Sequence, residues 1–348
     1  MENHRQKSLK CYSEYLCIIL LILLPLVVQA QANTLAEKPL PADLSKPERA
    51  ITIVDLYRQC EGIHQLMNQL TFAMGKKSKL HPQLIIENAQ PRDVLLQSIS
   101  IYNKANRLAF EYTRQTNPEM STTDVNQTHL ENIWNVLHQT LLIFYRLQPI
   151  LDIKQPIKID MPRTPITLTE VSKLLIELNQ QIDDMGWTQA SPAETFGALT
   201  KAIYLAAALL ADSPEPQEIP DAPAFERGKT PEQVYRRLLT IMNMINLISE
   251  RQHIPSMSIR VENLQAENIH PSDVNDMTYF IIARLESFYY LAHKKNKEIE
   301  IYYHGWKLPS HIFQRAGILE IQVQHLFDTI KNHPAWLKGA ATHAEIQE

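Results

Sequence analysis

Glycine is scarce in this chain, and its scarcity excludes several functions at once. Only eight glycines occur in 348 residues, each standing alone. No Gly-rich loop is available to cradle phosphates, and no G-x-S-x-G turn presents a nucleophilic serine. Cysteine is scarcer still, at three. Neither C-x-x-C nor C-x-x-C-H occurs, so thioredoxin-like redox chemistry and c-type haem attachment are excluded. The zinc-protease signature H-E-x-x-H is also missing. Net charge is only −4 and is spread along the chain, which offers no basic surface to nucleic acid or anionic lipid.

The amino end reads as an export signal. Arg5, Lys7 and Lys10 precede an apolar run over 16–28, and Ala30 and Ala32 follow at A-x-A-like spacing. The run falls short of the ~20 residues of a membrane span, which favours cleavage over an anchor. An uncleaved segment would instead tether the protein to a membrane. Residues 1–32 are therefore set aside as a signal peptide. Cys11 and Cys17 leave with it, so the mature chain keeps Cys60 and no internal disulfide. A bacterial periplasmic protein with a good core suits that pattern better than a disulfide-rich secreted one. Removing three basic and two acidic residues moves the net charge from −4 to −5. The single sequon, at Asn126, is read as chance.

What the chain has in quantity is proline, 21 in all, placed between apolar periodic stretches rather than inside them. Such a pattern predicts helices joined by stiff turns. Four helix starts carry capping-box spacing: Ser45 with Glu48, Thr167 with Glu170, Ser191 with Glu194, and Thr230 with Gln233. Pro192 and Pro231 follow two of these caps, where a missing N–H costs nothing. Apolar positions then recur three and four apart, as in Val234, Leu238, Ile241, Ile245 and Ile248. That spacing lines one helix face with a packing seam. The reading is all-α, with eight amphipathic helices near 47–74, 91–115, 124–148, 167–185, 191–212, 230–252, 271–295 and 309–332. They are expected to pack as antiparallel hairpins or bundles. Alternation at Met257, Ile259 and Val261, and again at Ile299 and Ile301, allows small β-ribbons in the connectors.

One segment occurs twice. E-N-A-Q-P-R-D-V over 87–94 returns as E-N-I-H-P-S-D-V over 267–274, an offset of 180 residues. Upstream, residues 56–70 align with 234–248 at an offset two residues shorter. The echo predicts duplicated helical units, one over 47–148 and its repeat over 230–333. A linker over 33–46 leads in, Pro-rich linkers over 149–165 and 213–229 bracket a middle helical hairpin over 166–212, and 334–348 is a tail. The repeated motif has two readings. One is a pair of matching sites presenting Glu87, Asn88 and Asp93, then Glu267, Asn268 and Asp273. The other is structural: Pro91 and Pro271 open helices, the aspartates complement the helix dipole, and Val94 and Val274 start the seams. Glu and Asn then bond within the incoming turn. The structural account covers every residue and is preferred.

Other constellations are weaker. Glu61 with His64 and Glu250 with His253 have the Glu-x-x-His spacing of di-iron bundles. Their places in the duplicated helix do not correspond, however, so no metal and no cofactor are expected. Cys60 sits on a seam as a small hydrophobe. The segment Tyr302, Tyr303, His304 and Trp306, together with Tyr289 and Tyr290, is the candidate ligand or partner surface. Aromatic rings with polar tips stack on sugars or anchor interfaces. No acidic pair stands out for glycan cleavage, although such pairs are set by geometry rather than spacing. The expectation is an exported helical-repeat binding or scaffold protein, without catalysis, whose partner is another cell-envelope protein. A small-ligand or glycan-binding module using the aromatic segment is the alternative, and an envelope enzyme a further one.

Overall fold

Helix boundaries follow the capping chemistry. The computed structural model describes residues 40–41, 44–118, 129–186, 190–262, 264–265, 268–293, 297, 299–301 and 305–337. Residues 1–32, Asn126, Glu267, Tyr302, Tyr303, His304 and the end of the tail lie outside the described residues. The chain divides after Ser45 into two units, and the second holds all the regular elements. Among the described residues these are eight helices and one two-stranded ribbon: α1 (Ile53–Ala73), β1 (Gln83–Glu87), α2 (Pro91–Thr113), α3 (Leu130–Ile150), α4 (Leu168–Asp184), α5 (Pro192–Ala211), α6 (Pro231–Gln252), β2 (Ser258–Glu262), α7 (Pro271–His293) and α8 (Pro309–Asn332).

Three of the four expected capping boxes form, at Thr167, Ser191 and Thr230. The fourth, Ser45 with Glu48, does not start a helix. The first helix begins six residues later than the periodicity suggested, with Thr52 as its cap and Asp55 at the third position. Arg49 explains the shift. Its guanidinium grips Asp55 at 2.6 and 2.8 Å while the Thr52 amide donates to the same carboxylate. Burial pushes the Asp55 carboxyl up, but Arg49 and Thr52 outweigh it and hold it at about 2.

The helices pack as two four-membered rings. In the first, α1 and α2 each pack against α3 and α4; in the second, α5 and α6 each pack against α7 and α8. The two helices of the middle pair thus go different ways, α4 to the first bundle and α5 to the second. In chain order the rings match helix by helix, α1 with α5 and onward. The sequence echo aligns different partners, since it places α1–β1–α2 over α6–β2–α7. Among the described residues, α5 is the one helix long and apolar enough to cross a membrane, and most of it is buried inside its bundle.

The ribbon joins the halves. β1 and β2 run antiparallel with Ile86 opposite Ile259, and both enter the core of the second bundle. Alternation correctly marked β2, but Ile299 and Ile301 lie outside any strand. The partner strand at 83–87 was not anticipated, because Leu84, Ile85 and Ile86 make too short an apolar run to assign.

The second proline-rich linker lies against its bundle instead of looping free. Gln314 donates to the Pro223 carbonyl at 2.7 Å, and a His325 ring nitrogen meets the Glu215 carbonyl at 2.8 Å. Gly317 makes this seat possible: a Cβ there would stand 2.8 Å from Pro223 Cγ and 3.0 Å from an Arg237 nitrogen. Gly317→Ala is expected to destabilise the protein by about 1–3 kcal/mol through overpacking, read as a lower urea midpoint with an unchanged slope.

Candidate functional site

Each copy of the repeated motif does what the structural reading expects, and then something more. Pro91 and Pro271 open α2 and α7, and Val94 and Val274 are buried. Asp93 Oδ2 accepts from the Gln90 amide at 2.9 Å, and Asp273 Oδ2 accepts from the His270 amide at 2.7 Å. Asn88 adopts the left-handed turn with φ 58° that carries β1 into α2. Asn268 bonds locally to Gln265. Glu87 departs from expectation: it pairs with Arg260 across the ribbon at 3.2 Å rather than within its own turn.

The second oxygen of each aspartate reaches across the molecule. Asp93 Oδ1 meets Arg284 of α7 at 2.7 Å, with both side chains buried. Asp273 Oδ1 meets His81 Nδ1 at 3.0 Å, and the other ring nitrogen of His81 meets Asp184 of α4, also at 3.0 Å. Beside them Lys104 of α2 lies 2.7 Å from Asp183 and 3.2 Å from Asp276 of α7. Arg92 and Lys201 share Glu286 at 2.8 and 2.7 Å. The junction between the bundles therefore carries a cluster of charged side chains beside apolar contacts such as Ile86 and Ile176.

Electrostatics there depart from solution values. Burial works against charge on His81, yet the two carboxylates outweigh it and raise its pKa to about 9. Burial also opposes charge on Lys104, but Asp183 and Asp276 hold the ammonium ionised far above neutrality. Burial pushes Asp183 and Asp276 upward, against the pull of Lys104; Asp276 raises Asp183 further, and Asp273 raises Asp276. One lysine shared between two carboxylates leaves the group electron-rich and eager for a proton. A cavity of about 40 Å³ lies against this cluster, lined by Asn179, Tyr235, Asp276 and Phe280 among others. It has room for about one water.

On the outer side of His81 the surface opens into a cleft of about 670 Å³. Its walls are α1, with His64 and Asn68, and α4, with Lys173 and Glu177; its floor is the 78–86 segment that includes β1. His81 and Asp184 belong to both places, forming the wall between cleft and junction. Among the lining residues Leu80 is 71% exposed.

Of the expected aromatic surface, Tyr289, Tyr290 and Trp306 lie among the described residues. Tyr289 is buried and stacks on His293, with ring centroids 4.0 Å apart; Tyr290 is half-buried. Trp306 is 77% exposed. Glu61 and His64 approach at 3.6 Å as a simple pair, and His253 is the left-handed cap of α6. Among the described residues no group of three or more His, Cys, Asp or Glu side chains is placed to hold a metal ion.

Sequence reasoning missed the junction, although it left a trace. Lys104 falls three residues after Ile101 and four before Leu108, and Arg284 three after Ile281 and four before Phe288. A charged residue on an apolar seam must find a buried partner or pay desolvation. Compared with protein-family models, curated proteins and solved structures, the chain matches none.

Removing the Lys104 ammonium strands two buried carboxylates. Lys104→Met is expected to cost about 3–5 kcal/mol of stability, measured by urea unfolding. The loss should shrink markedly when Asp183→Asn and Asp276→Asn are added.

Proposed function

We propose that this chain is an exported, periplasmic helical scaffold that binds another cell-envelope protein, and that the cleft beside β1 receives an extended segment of that partner. The carrying observation is the cleft itself: about 670 Å³, with β1 along its floor. β1 pairs only with β2 among the described residues, so its other edge carries unpaired backbone donors and acceptors. An incoming strand would satisfy them, while alternate side chains settle against the walls. Leu80 supplies apolar grip, and Lys173 and Glu177 supply charge of both signs. A small-ligand or glycan-binding role has one observation in its favour, the exposure of Trp306, whose indole face would stack on a sugar ring.

The two readings separate by photo-crosslinking in the envelope. A photoreactive residue replacing Gln83 in β1 is expected to capture one partner, whereas the same residue replacing Gln139 on α3 captures none. Reversing the wall charges with Lys173→Glu and Glu177→Lys should lower the capture about tenfold without moving the melting temperature. Equal capture from both positions, or capture untouched by the reversal, removes the cleft from the account. Loss of glycan affinity in Trp306→Ala, with crosslinking intact, would favour the second reading.

A further inference from the structure

We propose that His81 is a protonation-controlled latch that ties the first bundle to the second. Both ring nitrogens of His81 face carboxylate oxygens at 3.0 Å, Nε2 toward Asp184 and Nδ1 toward Asp273. Neutral imidazole has one donor and one acceptor, so it can satisfy only one of them. The remaining nitrogen would then point a lone pair at a carboxylate in a site where the His81 side chain is 7% exposed. Only the imidazolium donates to both.

The carboxylates are already engaged as acceptors on their other side. Asp184 Oδ2 takes the Lys79 amide at 2.7 Å, and Asp273 Oδ2 takes the His270 amide at 2.7 Å. Asp184 is thus held to the 78–81 loop through Ser78, Lys79 and His81, whereas Asp273 bonds to that loop through His81 alone. Loss of the proton therefore opens the arm to α7, the one that crosses between bundles. His270 stands edge-on to the His81 ring at 5.2 Å and contacts the Leu80 carbonyl at 3.3 Å. Asp183 of α4, Asp276 of α7 and the Lys104 ammonium between them complete the charged surroundings. With four carboxylates against His81 and Lys104, the surroundings favour the charged ring.

The direction of the pH effect follows from linkage. A histidine whose folded pKa lies above its ordinary 6.5 contributes fully below that value, and the contribution disappears as pH rises through about 9. The latch is closed at neutral pH and opens in alkali. Because His81 also walls the cleft, opening frees the floor segment, but the latch does not depend on what the cleft binds.

Two measurements on the purified full-length chain test it. Nitrogen NMR of the His81 ring is expected to show both nitrogens protonated at pH 7.5, with a midpoint near 9. Amide hydrogen exchange, corrected for intrinsic rates, is expected to quicken about tenfold over 79–87 and 258–262 in His81→Asn at pH 7. The helices α3 and α8 should keep their protection, and the wild type should approach the variant at pH 10. A His81 midpoint at or below 6.5 overturns the proposal. So does wild-type protection of those segments that is the same at pH 7 and pH 10, a comparison that does not require the variant to fold.

Discussion

The arrangement of the two bundles depends on charged side chains buried where α2 and α4 meet α7. Arg284 with Asp93, Lys104 with Asp183, and His81 with Asp184 and Asp273 are withdrawn from water, and Asp276 beside Lys104 is half-buried. Such groups lose several kcal/mol each in desolvation, and their attraction offsets that loss only in a nearly fixed geometry. An apolar junction would tolerate sliding; this one does not. The ribbon adds backbone pairing and sends Ile86 and Ile259 into the second core, so the halves are joined by a strand pair and a charged lock together.

The repeated aspartates show how one residue serves local and long-range order. At the third position of a helix, Asp accepts from the cap amide and complements the helix dipole. That use occupies one oxygen. The second is free to meet a cation from elsewhere, Arg284 for Asp93 and His81 for Asp273. Helix initiation and assembly of the halves therefore share the same two side chains.

Much of the helical layout could be read from the residues themselves. Capping boxes at Thr167, Ser191 and Thr230, with prolines behind two of them, announce helix starts through strictly local chemistry. Seams such as 234, 238, 241, 245 and 248 announce which face is buried. Apart from the Arg49 contact with Asp55, six residues on, the misses are long-range. Arg49 moves the first cap from Ser45 to Thr52, β1 acquires strand character from a partner 175 residues away in the register Ile85 with Arg260, and the cleft exists only once α1, α4 and the 78–86 segment meet. Tyr289 and Tyr290, neighbours in sequence, differ in burial because a helix turns successive residues to different faces.

Cleft and junction share His81 and Asp184, so binding and cohesion are physically adjacent in this fold. The central claim, that buried ion pairs between α2 and α7 fix the two bundles, is tested most directly by a double-mutant cycle on Asp93 and Arg284. Asp93→Asn and Arg284→Met, singly and together, would be compared by urea unfolding. The account predicts a double variant less damaged than the two losses combined, with a coupling energy above about 1.5 kcal/mol. Losses that add to within about 0.5 kcal/mol would contradict it, and the ribbon and apolar packing would then be the true join.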